Sequence, residues 1–491
     1  MDEQTKLRLV EIFSKLPAVR RPEGHVHFKQ KMYWTAGILI LYFVLANIPL
    51  FGLSPQSIDL FESYRAFFAG TSGTIILLGI GPIVTGSIVL QLLVGAGVLK
   101  LDLSQPLDQA VFQGLQKALV ILMIVVEGLP QVLAGYIAPD PALASTLGIS
   151  LGTLSMILFI QIFIGALLIL YMDEVVSKWG IGSGVGLFIV AGVSQGIITG
   201  LLNWQMVEGL PAGLIPRWIY LLQHDFGEFV ANSTLIEVLV TTHLLALIST
   251  VAIFLFVVFA ESTRIEIPLA HAAVRGARGR FPVKLIYASV LPMILVRALQ
   301  ANIQLFGTVL SSRGINVLGE YVLTPGGGSY PVPGSIMYYL NPIHGPSDWI
   351  PSLVVHNETV GQIALRLGVD AFLLVVGGII FSIFWVETTG MGAKNVAQNI
   401  HMSGMQIPGY RRSIGSIERV MRRYIPKVTV LGGATIGVLT LGASMLGTLG
   451  GVGGTGLLLT VSIVYRLYED IASEQMMEMH PMLRQFFGRE K

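Results

Sequence analysis

The chain has 491 residues, of which 53% are hydrophobic and only 12% are charged, about half the charge of an ordinary soluble protein. The formal net charge of +2 points to no partner by itself, and the absence of cysteine excludes disulfides, thiolate metal sites and thiol nucleophiles. Glycine is abundant, with 56 residues, as in bundles of membrane helices that approach closely. The composition therefore predicts one polytopic membrane protein.

Ten apolar runs approach the length of about 20 residues that a helix needs to cross a bilayer. The predicted spans 1 to 10 cover residues 33–52, 74–97, 113–136, 147–172, 182–202, 235–260, 285–311, 367–387, 425–447 and 453–472. If the N-terminus is cytoplasmic, 26 of the 31 Lys and Arg residues fall on the cytoplasmic side and four on the outside. We therefore expect both termini in the cytoplasm.

Two halves of five spans would enter the membrane from opposite sides, which predicts an inverted pair with a pathway between them. The N-terminal half would cover residues 1–202 and the C-terminal half residues 235–472, joined by an outer linker at 203–234 and followed by a cytoplasmic tail at 473–491. Residues 312–366, here called the outer segment, form a long polar loop in this scheme.

Two amphipathic stretches are too short to span the membrane. Residues 5–16 are predicted to form a helix on the cytoplasmic membrane surface, or one docked on another protein. In residues 57–69, large apolar side chains recur at helical spacing, followed by a glycine-rich turn. They are Leu60, Phe61, Tyr64, Phe67 and Phe68. That segment could fold back into a cavity or lie at the outer membrane interface.

Two cytoplasmic loops, 261–284 and 388–424, are unusually basic, and we call them the basic loops. They include Arg275, Arg278 and Arg280 in one and Arg411 and Arg412 in the other. Positive charge near the cytoplasmic membrane surface explains part of this enrichment, but such clusters also predict a polyanionic partner, either ribosomal RNA or an acidic protein surface.

Few ionisable residues lie within the predicted spans. Arg297 is the basic residue nearest the middle of a predicted span, and the sequence offers it no obvious acidic partner, while Glu127 and Asp370 fall toward outer ends. His243 falls within span 6, where a hydrogen-bonded structural role is favoured over proton relay. Coupled transporters usually carry carboxylates at mid-membrane, so this pattern disfavours a secondary transporter of small solutes but leaves it as the alternative. No catalytic constellation, metal site or cofactor motif is found, which predicts a protein that is not an enzyme.

Seven motifs in order make the sequence resemble the SecY family, the alpha subunit of the Sec protein translocase, in its archaeal or eukaryotic-like branch. The motifs are GIGPIVTG at 79–86 with Gln91, YMDEVVSKWGIGSGVGLFI at 171–189, RIEIPLAH at 264–271, ANIQLFG at 301–307, FWVETTG at 384–390, IPGYRRS at 407–413 and GGTGLLLTVSIVYRLYE at 453–469. The outer segment has no motif of this kind.

This resemblance implies an all-α clamshell of ten helices, with a lateral gate between spans 2 and 7 and a plug formed by residues 57–69. It implies a pore ring of aliphatic side chains: Ile80, Val84, Val185, Ile189, Ile294 and Leu459. Thr85 and Asn302 match gate positions. The implied partners are a SecE-type (gamma) subunit, a small beta-type subunit, nascent polypeptides and, through the basic loops, the ribosome. The expected location is the cell membrane.

Overall fold

The computed structural model describes residues 3–24, 26–55, 57, 65–95, 97–101, 105–207, 209–223, 234–271, 278–288, 290–323, 329–354, 358–409 and 413–479. Each predicted span has a helix. Spans 1 to 10 are, in order, Phe28–Ala46, Gly81–Gly95, Pro106–Leu133, Leu151–Trp179, Gly184–Leu202, Leu244–Ser262, Leu291–Ser312, Val360–Thr388, Ile414–Leu446 and Gly453–Met479.

Spans 3 to 9 supply the seven helices in the described part of the chain that are long and apolar enough to cross a membrane. Span 2 is only 15 residues long, because residues 74–80, predicted as its first turns, form non-helical turns instead. Span 6 begins at Leu244 rather than at 235. A separate helix, Leu235–Thr241, precedes it, and His243 adopts a positive φ of 56° at the break. His243 therefore occupies the N-cap position of span 6, without a capping bond from its side chain, and does not lie inside the helix.

Glycine allows spans 8 and 9 to pack with their backbones in near contact. A Cβ at Gly378 would lie 2.8 Å from the carbonyl oxygen of Gly433, and a Cβ at Gly433 would lie 2.8 Å from that of Gly378. Close approach of small residues replaces the hydrophobic effect as the driving force for helix packing in lipid. The contact between these two helices is the most extensive one among spans 6 to 10.

The strands are short and lie in the loops outside the span helices. Strands β1 (Met206–Val207) and β2 (Leu210–Pro211) form one hairpin, and β5 (Tyr321–Leu323) and β6 (Ser329–Pro331) form another. The third sheet consists of Arg264–His271 (β3), Arg278–Lys284 (β4) and Met405–Gln406 (β7). Its strand order is β4-β3-β7, with β3 in the centre. Because β3 pairs with both β4 and β7, this sheet joins the two basic loops.

A second apolar core lies beneath that three-stranded sheet. Ile267, Leu269 and Val283 of the sheet pack with residues from the end of span 8, the start of span 9 and the helix Ala393–Met402 between them. The main core is separate and draws on side chains from all ten spans. The basic loops therefore form a folded platform with its own interior.

The outer segment folds around a buried arginine near the start of span 8. Arg366 is 1% exposed, and it donates through Nε to the Asn341 carbonyl (3.1 Å), through Nη1 to the Tyr330 hydroxyl (2.7 Å) and through Nη2 to the Pro342 carbonyl (2.9 Å). Burial by itself raises the pKa of Asp348, but hydrogen bonds from His344 and the Arg366 charge lower it below its ordinary value. The segment is thus attached firmly to span 8.

The N-terminal helix, Glu3–Ser14, lies against the beginning of span 3. Lys6 pairs with the buried Asp108 at 2.5 Å, and the Phe13 ring occupies the space next to Gly114. At the other end of the chain, Glu474 of span 10 accepts from Lys31 of span 1 at 2.6 Å. Lys284 of β4 also pairs with Glu469 of span 10 at 2.7 Å, so both ends of the described chain lie on the same side of the bundle as the basic loops.

Candidate pore, plug and gate

The six predicted ring residues come from four spans and the turn before span 2. Ile80 and Ile189 are fully buried, as is Leu459, while Val84 and Ile294 are 6% and 3% exposed. Val185 is half-buried and packs against the same apolar cluster to which the other five belong. The structure therefore gathers aliphatic side chains from spans 2, 5, 7 and 10 within the main core. That they form the narrowest part of a pore stays a prediction.

The end of the predicted plug is bonded directly to a ring residue. The Ile80 amide donates to the Phe68 carbonyl at 2.7 Å, and the short helix Arg65–Phe68 contacts spans 5 and 10. Phe68 is buried at 4% exposed. Leu60, Phe61 and Tyr64 lie outside the described residues, as does the side chain of Phe67.

Two further contacts hold the same end of this segment. The Tyr42 hydroxyl donates to the Ala69 carbonyl at 2.9 Å, and Arg65 donates to the Leu77 carbonyl at 2.6 Å. At Gly79, where φ is +55°, a Cβ would lie 2.1 Å from the Phe68 carbonyl oxygen. Glycine is thus required where the turn before span 2 meets the plug, which explains why the helix begins only at Gly81.

A hydrogen bond joins the two predicted gate residues across spans 2 and 7. Asn302 Nδ2 donates to Thr85 Oγ1 at 3.1 Å, and both side chains are 7% exposed. Glu127 of span 3 interacts with both of them and is 2% exposed. One carboxylate oxygen of Glu127 and the Asn302 Oδ1 have no hydrogen-bond partner among the described residues. The contact between the predicted gate residues thus has a polar centre whose hydrogen bonds are incompletely satisfied in this structure.

The sequence did not predict that Glu127 lies beside the two predicted gate residues. The available signal was an acidic residue within a membrane span, since such residues are costly and usually functional. Its position along the chain gave no indication that it faces spans 2 and 7, because that depends on how span 3 is rotated in the bundle.

The expectation that Arg297 lacks an acidic partner is wrong. Arg297 Nη1 lies 2.8 Å from Asp370 Oδ1 on span 8, with the two side chains 3% and 1% exposed. Gln300 accepts from the guanidinium at 2.8 Å and donates to Asp370 at 3.1 Å. Thr455 of span 10 and Ser444 of span 9 accept further hydrogen bonds. The pair connects spans 7 to 10, one helical turn from the ring residues Ile294 and Leu459.

Of the predicted basic contact residues, only Arg280 has a described side chain. It is 75% exposed and pairs with Glu266 across strands β3 and β4. Arg278 lies on β4 with its side chain outside the described set, and Arg275, Arg411 and Arg412 lie outside the described residues altogether. The pairing of β3 with β7 nevertheless brings the two basic loops to one platform.

Comparison with known sequences supports the same reading of the motifs and the plug. The sequence profile described as SecY matches residues 74–468, which is most of the chain. The chain belongs to the SecY family. A second profile, described as the plug domain of Sec61p, matches residues 40–73 and so includes the predicted plug, residues 57–69.

Curated SecY-family relatives match along nearly their whole length. The protein translocase subunit SecY of Archaeoglobus fulgidus is 58% identical over 97% of this chain and 98% of its own. The Haloferax volcanii subunit is 55% identical over 98% of both chains, and that of Methanocaldococcus jannaschii is 41% identical over 98% of this chain and all of its own.

Solved structures of this family share the fold. A structure described as a protein-conducting channel has a TM-score of 0.77 at 40% identity, covering 96% of this chain and 98% of the other. Sec61 in the canine ribosome-channel complex from the endoplasmic reticulum has a TM-score of 0.75, also at 40% identity and the same coverage. The ten-helix clamshell expected from the sequence is confirmed, and the protein is a multi-pass integral membrane protein.

Proposed function

We propose that this chain is the pore-forming subunit of a protein-conducting channel, which passes polypeptides across the membrane and releases membrane helices sideways between spans 2 and 7. The observation that carries this proposal is the bond from the Ile80 amide to the Phe68 carbonyl, which ties the plug to the aliphatic ring. A collar of branched aliphatic side chains excludes water and ions while offering a passing chain no fixed hydrogen bonds.

The gate contact explains how such a channel would sort its substrates without covalent chemistry. An apolar signal helix that enters the gate buries methylene groups, each contributing about 0.8 kcal/mol. The Asn302–Thr85 hydrogen bond that it displaces is worth roughly 0.6–2 kcal/mol. A signal with many apolar residues therefore opens the gate, and a polar segment does not. No enzymatic activity is part of this proposal.

The partners and the placement in the membrane belong to the same proposal. The distribution of Lys and Arg supports a topology in which both termini and the basic loops lie on the cytoplasmic side of a cell membrane, where a ribosome would dock. A SecE-type (gamma) subunit and a small beta-type subunit would complete the complex. The two halves, 1–202 and 235–472, would hinge through the linker at 203–234.

The proposal is tested by crosslinking from the ring to a chain in transit. A photoreactive residue at Ile294 should crosslink to a stalled secretory chain, whereas the same residue at Ile164, which is 50% exposed on span 4, should not. Equal yields from both positions, or none from Ile294, would contradict the assignment.

Uptake of a small solute driven by a proton or sodium gradient would favour a transporter. The Arg297–Asp370 pair argues against that alternative, because its two charges already neutralise each other.

If the ribosome docks on the basic loops, its affinity for the channel should depend on their arginines and on the salt concentration. Changing Arg280→Glu and Arg411→Glu together should weaken ribosome binding, and binding of the wild type should fall steeply between about 50 and 200 mM salt because phosphate contacts release counterions. Lysine at both positions should have a smaller effect, since guanidinium pairs with phosphate through two bonds. Glu266→Gln should strengthen binding, because it removes the acid that pairs with Arg280.

A matched control is Arg313→Glu, the same charge change at an exposed position at the start of the outer segment. It should leave ribosome affinity unchanged. If the reversal at Arg280 and Arg411 has no larger effect than this control, the basic loops do not bind the ribosome.

A further inference from the structure

The contact between the two halves has three levels along the predicted gate. Next to the basic loops, Gly95 at the end of span 2 lies against the Phe384 ring of span 8, with 3.1 Å between an ideal Cβ and the ring. In the middle, Asn302 bonds to Thr85 at 3.1 Å. At the opposite end, the Tyr136 hydroxyl, just after span 3, donates to the Thr308 carbonyl of span 7 at 3.0 Å.

The outer segment fixes the part of span 7 to which Tyr136 bonds. The Tyr321 hydroxyl donates to Gln304 Oε1 at 2.9 Å, and Gln304 Nε2 donates to the Met337 carbonyl at 2.9 Å. Gly307 leaves room for this contact, because a Cβ there would lie 2.7 Å from Met337 Sδ. Burial raises the pKa of Tyr321 to about 12, so its hydroxyl remains a donor at neutral pH.

The same segment is attached to span 8 through Arg366 and to the end of span 9 through Trp349, whose indole donates to the Met445 carbonyl at 2.9 Å. It therefore moves with spans 7 to 9 rather than with span 3. Any motion that separates span 7 from span 3 must break the bond between Tyr136 and Thr308, which are 172 positions apart in the chain.

We propose that Tyr136 is a positioning residue that latches the outer end of the lateral gate, and that the outer segment supports its acceptor on span 7. This rests on the proposed function. Tyr136 acts through span 7 rather than by touching a signal. Together with Asn302 and Thr85 it sets the hydrophobicity that a signal needs before the gate opens. This gives the outer segment a role that the sequence did not reveal.

The test is Tyr136→Phe, which removes the hydroxyl and keeps the ring. Loss of one hydrogen bond of ordinary strength should shift the ratio of open to closed gate by about fivefold. Translocation of a reporter with a marginally apolar signal should rise by up to that factor, while a reporter with a strong signal should be unaffected at equal channel abundance. A general folding defect would lower both reporters together. Asn302→Ala in the same background should shift the threshold further.

Tyr33→Phe serves as the control, because Tyr33 is 77% exposed at the start of span 1. If Tyr136→Phe and Tyr33→Phe give the same threshold, the latch is overturned while the channel remains. If the wild type fails to translocate even the strong-signal reporter, the proposed function itself fails.

The absence of native cysteine permits a second, independent test. A variant with Tyr136→Cys and Thr308→Cys, joined by a short thiol-reactive crosslinker in native membranes, should stop the lateral release of membrane helices. Addition of the crosslinker to either single variant should have no effect. Normal release from the crosslinked channel would show that the gate opens elsewhere, and would overturn the proposal.

Discussion

Replacing Ile80, Val84 and Ile294 together with serine is expected to make the resting channel conduct ions steadily. Hydroxyl groups keep a narrow collar wet, whereas branched aliphatic side chains dewet it. The three side chains are buried in the main core, so the change alters the ring rather than a lipid-facing surface. The measurement is single-channel conductance in planar bilayers, with no polypeptide in transit.

A control variant separates loss of the ring from general loss of core packing. Serine at Leu154, Leu158 and Ile162, all 0% exposed on span 4, removes similar apolar volume away from the ring. That variant should be destabilised but should not leak. Deletion of residues 58–68, which removes the Phe68 contact with Ile80, should give bursts of conductance rather than a steady leak. If the ring variant and the plug deletion are both as tight as the wild type, the conducting path does not run through this ring.

Asp370→Leu is expected to be among the most destabilising single substitutions in the chain. It leaves the Arg297 guanidinium buried without its carboxylate, and breaking a buried ion pair in this way costs about 3–5 kcal/mol. Changing Arg297→Leu as well should restore most of that loss, because an apolar pair of similar volume needs no neutralising partner. Thermal unfolding of the purified complex in detergent measures both effects.

An exposed pair provides the comparison. Glu418→Gln breaks the Glu418–Arg422 pair on span 9, whose arginine is 74% exposed, and should leave the unfolding midpoint unchanged. A double variant that is no more stable than Asp370→Leu alone would mean that the arginine has a role beyond neutralising the aspartate. Equal stability of all variants would show that the pair does not hold spans 7 to 10 together.

The span helices were predictable because the length of an apolar run is a local property of the chain. All ten predicted spans contain a helix, and the errors lie at their ends, apart from one break within the predicted span 6. Span 2 starts late because Gly79 must accommodate the Phe68 carbonyl, and span 6 is interrupted at His243 by a residue with positive φ. Neither cause can be read from hydropathy, since both depend on the local path of the backbone.

The sequence by itself determined that this protein crosses the membrane about ten times, that its positive charge lies in particular loops and that its motifs are those of the SecY family. Only the tertiary structure decided which polar groups meet: Arg297 with Asp370, Glu127 with Thr85 and Asn302, and Tyr136 with Thr308. A helix in lipid is apolar on all sides, so its sequence gives little indication of which face meets a neighbour. Those pairings are set by the rotation and depth of each helix in the bundle, which follow from the packing of all ten spans together.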